Sequence, residues 1–214
     1  MTTRYDIIQG TEEWHQIRYG KIGGTLSDGL FVKSDTLLIN ILSQQMEEFE
    51  MEDGYQSADM IRGNELEPLA RQNLSEYLGV EILECGWLQS LDYPILGISP
   101  DGISKDETIC CEIKSPGAKK HAKTILENQI PKDNLMQCLH YFTVNPKLER
   151  LIFCSFRPEN KIIPMFTKEL NRDSIISIGK ITQSVAEWTT QAKKEAFVLT
   201  RELKEKLTEI ENRF

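Results

Sequence analysis

The stretch "GISPDGISKDETICCEIKSPG", residues 97–117, decides the reading of this chain. An apolar run ends just before Asp101. A second apolar run then carries Glu112-Ile113-Lys114. Alternation along a strand puts Glu112 and Lys114 on one face and Ile113 on the other. A hairpin between the two runs would bring Asp101 to the same place. Two carboxylates and a lysine suit a divalent cation and an activated water, because Mg²⁺ prefers carboxylates, carbonyls and water as ligands. The Ile113 carbonyl could lie near such a metal, and Lys114 could position the water and offset charge. Glu112 sits in a run apolar enough to be buried, and a lone buried carboxylate needs a cationic partner. Three ordinary strand-end charges are the competing reading, since short patterns of this kind recur often.

The totals set the frame. The chain has 214 residues, enough for one sizeable core, and a single domain spanning 1–214 is the simplest account. Hydrophobic residues make up 40% and charged residues 27%, which points to a globular protein without membrane spans. The start, "MTTRYDIIQGTEEW", lacks an apolar signal core, so a cytoplasmic location is expected. Cys85, Cys110, Cys111, Cys138 and Cys154 form no C-x-x-C pair and read as reduced thiols. The net charge of −8 argues against broad nucleic-acid affinity, yet its distribution is uneven. "KSPGAKKHAK" (114–123) is basic and "MEEFEMED" (46–53) is acidic, so a polarised surface could hold DNA locally.

Periodicity gives a mixed α/β layout, with a central mixed sheet flanked by helices. "TEEWHQIRYG" opens a helix at Thr11, and Gly20, Gly23 and Gly24 break it into a loop. Helices are expected over Ser34–Phe49 and over "GNELEPLARQNLSEYLG", the latter with Leu66, Leu69, Ala70, Leu74, Tyr77 and Leu78 on one side. "VEILECGWLQ", "YPILGIS" and "TICCEIK" read as strands. Helices follow over Ala118–Asn128 and Asp133–Thr143, the second capped by Asp133, and then two strands, "LERLIFCSFR" and "KIIPMFTKEL". A long amphipathic helix from about 173 to 211 closes the chain, its apolar face including Ile178, Ile181, Val185 and Trp188.

Four segments in order carry a family resemblance: "EEWHQIRYGKIGGT", "GNELEPLAR", "GISPDGIS…CCEIKSP" and "NLMQCLHYFTV". Together they resemble the phage-lambda-type exonucleases and YqaJ-like viral recombinases of the PD-(D/E)XK nuclease superfamily. The resemblance implies a restriction-endonuclease-like core and Mg²⁺, with Mn²⁺ as a substitute. It implies Asp101, Glu112, the Ile113 carbonyl and Glu67 as the metal set, and Lys114 as the catalytic lysine. Gln137 would orient the water or the scissile phosphate. Arg18 would hold the terminal phosphate of the cleaved end, with Thr25 or the Gly23–Gly24 amides assisting. Blander readings stand beside these. Glu67 suits a helix N-terminal turn, Arg18 could pair with Glu12 or Glu13, and Gln137 could be a structural amide. His15 and His140 read as structural and Trp14 as a core anchor.

The implied activity is degradation of linear double-stranded DNA from its ends, 5′ to 3′, beside a single-strand-annealing recombination protein. The implied assembly is a homo-oligomer, with a trimer as the first expectation. An endonuclease of the same fold and a non-catalytic DNA-binding scaffold are the alternatives.

Overall fold

The structure is a computed structural model and describes residues 1–32, 34–51 and 57–213. Its centre is a five-stranded mixed sheet in the order β2-β5-β6-β7-β8. The strands are β2 (Ile82–Leu83), β5 (Gly102–Ser104), β6 (Ile109–Lys114), β7 (Arg150–Phe156) and β8 (Met165–Leu170). β6 and β7 pair in parallel and the other neighbours are antiparallel. A parallel pair needs a crossover. Helices α5 (Ala118–Glu127) and α6 (Lys132–Val144) supply it. This is the mixed sheet with flanking helices that the sequence implies.

The period of two along the central strands divides the core. Cys110, Leu151 and Phe153 face a large cluster with Leu139, Phe142 and Trp188. Ile109, Cys111, Ile113, Ile152, Cys154 and Phe156 face a second cluster under α4 (Ala58–Leu78), where Ala70 and Leu74 pack. Glu112 therefore points to the first side, toward α6, while Ile113 points to α4. All five cysteines are free and buried.

Several elements differ from the sequence reading. "VEILECGWLQ" is two strands in two sheets, β2 and β3 (Trp87–Ser90). β3 pairs with β4 (Gly97–Ile98), as expected of "YPILGIS", but also with an N-terminal strand, β1 (Thr2–Tyr5). Polar "TTRY" gave no apolar alternation to signal that strand. The break between β2 and β3 falls at Gly86, where a Cβ would lie 2.0 Å from the Ile7 carbonyl oxygen.

α4 starts at Ala58, earlier than expected, with Ser57 accepting from the Met60 N–H as N-cap. It ends at Gly79, whose φ of 66° is the left-handed cap conformation. Leu66, Ala70, Leu74 and Leu78 form its packed stripe, whereas Leu69 and Tyr77 are exposed. The packed positions repeat strictly every four residues, and Leu69 and Tyr77 fall off that row.

Ser34 caps α3 (Asp35–Met46) by position, so that helix is shorter than the expected 34–49. Pro131, and not Asp133, occupies the N-cap position of α6. The acidic run 46–53 continues past α3, and its Glu52 and Asp53 lie outside the described residues.

The largest correction concerns the C-terminus. Residues 175–184 form a hairpin, β9 (Ile175–Ile178) and β10 (Ile181–Ser184), and α7 begins only at Val185. Ile178 and Ile181 pair across a two-residue turn at Gly179-Lys180, with Gly179 at φ 60°. Isoleucine runs flanking a Gly-x turn favour a hairpin, and their helical spacing with Val185 is coincidental. Ser184 and Glu187 then form a capping box that starts α7 (Val185–Glu211). α7 lies on α6, α2 (Asp28–Phe31) and α3, burying Trp188, Ala192, Ala196 and Leu203. No helix among the described residues is long and apolar enough to cross a membrane.

Candidate active site

β5 and β6 align Gly102 with Cys111, which leaves Asp101 beside the open edge of β6. There its Oδ2 accepts the Ile113 N–H at 2.6 Å. In a strand, the N–H and C=O of one residue leave from the same edge. The Ile113 carbonyl therefore shares the Asp101 side.

Glu112, fully buried, projects from the opposite face to Ile113. Its Oε1 pairs with the Lys114 ammonium, which also stands 3.9 Å from Asp101 Oδ2. Its Oε2 accepts from Gln137 Nε2 at 2.8 Å and from the Tyr141 hydroxyl at 2.6 Å. The fold thus brings Asp101, Glu112, Lys114 and Gln137 together.

The charges answer to this crowding. Burial, and then the Glu112 charge, push Asp101 well above the ordinary carboxylate range. Burial alone would lower Lys114, but Glu112 and Asp101 outweigh it and raise its pKa. Burial beside Glu112 and Asp101 also holds the Tyr141 hydroxyl far above its usual pKa, so it stays a donor. One ammonium thus serves two carboxylates in a desolvated corner, and the site is short of positive charge.

Glu67 faces the same cleft from α4. Its Oε1 is held by Arg71 Nη2 at 2.6 Å, while Arg71 Nε donates to the Asp101 carbonyl at 2.9 Å. Burial raises the Glu67 pKa, and Arg71 opposes that rise. Among the described residues, no three acidic, histidine or cysteine side chains converge as a ready ligand set. The donors that stand together are the Asp101 and Glu112 carboxylates and the Ile113 carbonyl. They fit a hard divalent cation, because all are oxygens. Glu112 Oε1 meets the Lys114 ammonium and has no other polar partner among the described residues.

A family model, the YqaJ-like viral recombinase domain, matches residues 13–147. The chain belongs to that family. No curated protein sequence matches it. Among solved structures, an alkaline exonuclease from Laribacter hongkongensis superposes with a TM-score of 0.77 at 22% identity, over 95% of this chain and 97% of that one. The same protein is known in complex with dAMP at the same similarity. A phage-related exonuclease from Haemophilus somnus 129PT gives a TM-score of 0.55 at 12% identity, over 96% and 97% of the two chains. At such identities the likeness concerns the fold, which is restriction-endonuclease-like.

The remaining expected residues of this YqaJ-like chain lie around a small pocket of roughly 160 Å³. It is lined by Arg18, Thr25, Gly24, Asp101, Gln137 and Tyr141 among others. α1 (Glu12–Arg18) is capped by Thr11 and ends at Arg18. The Arg18 guanidinium lies 3.6 Å from the centroid of the Trp14 ring. Its Nε–H is buried and finds no acceptor among the described residues. Burial lowers its pKa to about 10. Arg18 is thus a desolvated cation facing a pocket, and it pairs with neither Glu12 nor Glu13. Thr25 stands exposed on the short helical turn Gly24–Leu26.

That turn is fixed from below. His140 Nε2 stands 3.1 Å from both the Ile22 and Gly97 carbonyl oxygens, so it donates to them and is structural. Burial lowers its pKa to about 4. His15 packs edge-on against Trp14. Gly24 leaves room for Gln137, because a Cβ there would lie 2.9 Å from Gln137 Cγ.

The sequence reading missed Tyr141, Arg71 and Ser99. Tyr141 and Arg71 each lie four residues beyond an expected site residue, on the same helix face. That spacing was available as a signal. Ser99 accepts from Trp14 Nε1 at 2.9 Å, so Trp14 is a platform for Arg18 tied to the strand end, and more than a core anchor.

Beside the small pocket opens a larger cleft of about 680 Å³, lined by Glu67, Asp101, Lys114, Lys119 and Lys120. His121, from the same basic run, is buried and joins Ser155 and the Ile163 carbonyl at 2.8 Å each.

Proposed function

We propose that this YqaJ-like chain is a Mg²⁺-dependent deoxyribonuclease that degrades linear duplex DNA from its ends. One observation carries the reading. The Arg18 cation, whose Nε–H finds no acceptor among the described residues, shares a small pocket with Asp101, Gln137 and Tyr141, directly beside the carboxylate–lysine cluster. A terminal phosphate is a ligand that a half-buried, forked cation beside a carboxylate–lysine cluster fits well. The dAMP complex of the Laribacter exonuclease agrees with a nucleotide-sized site on this fold.

Arg18 holds the terminal phosphate, with Thr25 and the Gly23–Gly24 amides at its side. Asp101, Glu112 and the Ile113 carbonyl would hold the metal, with Glu67, now paired with Arg71, as the further carboxylate of the cleft. When bound, a divalent cation supplies charge at phosphorus and lowers the pKa of a bound water. Lys114 orients the water and stabilises negative charge. Gln137 fixes Glu112 on one side and reaches toward the scissile phosphate on the other. Lys119 and Lys120 draw the strand along the cleft despite the acidic net charge.

Polarity from 5′ to 3′, a trimeric ring, a single-strand-annealing partner and work in a bacterial or phage-infected cytoplasm all rest on the family resemblance.

The test uses one plasmid as linear duplex and as closed circle, with Mg²⁺ and then Mn²⁺, and with wild-type and Glu112→Gln protein. Loss of the linear form alone, abolished in the variant, is expected. Cutting of the circle would move the reading to an endonuclease. Cleavage of neither form with either metal would move it to a DNA-binding scaffold.

A further inference from the structure

Asp101 lines both the small Arg18 pocket and the larger cleft. A strand with its end on Arg18 and its first linkage at Asp101 therefore runs on into the cleft. The walls there differ in charge. Asp59 and Glu67 stand on the α4 side, while Gly117 to Lys120, the start of α5, stand on the other.

That start is uncapped. Gly117 occupies the N-cap position of α5, no side chain caps the helix, and its first turn carries no acid. The first N–H groups of a helix lack partners and carry partial positive charge, so an anion is stabilised there unless a side chain already serves them. A Cβ on Gly117 would meet nothing within 4 Å, so the space in front is open. The turn is also fixed in place. His121 is held between Ser155 and the Ile163 carbonyl, and Arg157 Nη1 donates to the Pro116 carbonyl at 3.2 Å.

Two polar side chains of the same cleft lack partners. Asn134, in the first turn of α6, is only 9% exposed, and its amide makes no hydrogen bond among the described residues. The Ser115 Oγ is buried and equally without a partner. Buried polar groups left unpaired are costly in a purely structural role, and both can donate to a ligand rich in acceptor oxygens. Lys119, Lys120 and the α5 N–H groups require that ligand to be an anion.

We infer that the α5 N-terminus, with Ser115 and Asn134, is a second phosphate subsite: it holds the phosphodiester that follows the scissile one on the same strand. Gly117 lies three residues beyond Lys114, at most about 10 Å of chain, close enough for a neighbouring linkage. Neutral donors and backbone N–H groups position a phosphate without reading bases. The inference rests on the DNA-end reading above.

The experiment is equilibrium binding of a labelled, 5′-phosphorylated linear duplex without divalent metal. Wild-type, Gly117→Asp, Ser115→Ala and Asn134→Ala proteins are compared, with melting temperatures alongside. The duplex is used intact and with one uncharged methylphosphonate linkage at successive positions from the 5′ end. Aspartate at the N-cap would cap α5 and put its carboxylate where the phosphate would lie. Gly117→Asp is expected to melt at or above the wild-type temperature, yet to bind the intact duplex about tenfold more weakly. Ser115→Ala and Asn134→Ala should each lose about threefold to tenfold. At one linkage position the methylphosphonate should weaken wild-type binding about tenfold and leave Gly117→Asp unaffected. If Gly117→Asp binds within about twofold of wild type, and no linkage position separates the two, the inference is overturned and the DNA-end reading stands. Wild-type protein that binds no duplex overturns that reading, and the inference with it. Should Gly117→Asp fail to fold, the linkage series on Ser115→Ala decides, and a sensitivity equal to wild type at every position overturns the subsite.

Discussion

Replacing Arg18 with methionine should make the protein more stable and less able to recognise a DNA end. Burial lowers the Arg18 pKa from 12.5 to about 10, and that shift is a cost to folding at every pH below about 10. The charged form is the one present in both folded and unfolded chains at neutral pH. At about 1.4 kcal/mol per unit, the penalty is on the order of 3 kcal/mol, less a discount for partial solvent exposure. Methionine keeps the apolar stem over Trp14 and loses a cation–π contact of about 1 kcal/mol. The net gain is therefore about 1–2 kcal/mol, or a rise in Tm of roughly 2–8 °C for a chain of this size. The same change removes a charge-assisted contact to the terminal phosphate of about 1.5–3 kcal/mol, roughly 10- to 150-fold. Thermal melting and digestion of 5′-phosphorylated against 5′-hydroxyl linear duplex are the assays. Wild type should prefer the phosphorylated end, and Arg18→Met should not. A lower Tm together with a retained preference would refute the reasoning, because Arg18 would then be a structural cation.

Two further perturbations follow from the loop that carries the pocket. Gly24→Ala puts a methyl 2.9–3.0 Å from Gln137 atoms, so Gln137 must swing away from Glu112; activity should fall about tenfold with stability nearly unchanged, as read by kinetics and urea unfolding. His140 refuses a proton until about pH 4 in the fold, while an unfolded histidine takes one near 6.5. The unfolded state therefore binds more protons in that window. Stability is whole above about pH 6.5 and declines by up to about 3 kcal/mol as pH falls toward 4. In His140→Gln the acid limb of urea midpoints should be flatter by about one proton, and an unchanged slope would remove His140 as the cause.

Much of the site was legible in the sequence because strand alternation is strict. Glu112 and Lys114 had to share a face, and Ile113 had to face the other core. Asp101 was placed by the hairpin that follows it. What could not be read was the partnering of each charge. Glu67 and Arg71 are a spacing of four that sequence gives freely, yet only the fold shows Arg71 also gripping the Asp101 carbonyl. Tyr141 stands among apolar residues in the sequence, and only the fold, by running α6 over Glu112, gives its hydroxyl a partner. The fold was misread where one pattern serves two periods. Ile178, Ile181 and Val185 fit a helix by spacing, but the Gly179-Lys180 turn and β-branched flanks make a hairpin. Polar β1 carried no pattern at all, and its place is set by pairing with β3.

The account turns on a divalent cation between Asp101 and Glu112. Crystals grown with Mn²⁺ and measured at an anomalous wavelength test this most directly. The account predicts a single strong anomalous peak at about 2.1 Å from an Asp101 oxygen, Glu112 Oε1 and the Ile113 carbonyl, with Lys114 displaced from Glu112. A Lys114–Glu112 pair left intact, with no peak between the two carboxylates at saturating Mn²⁺, would contradict it.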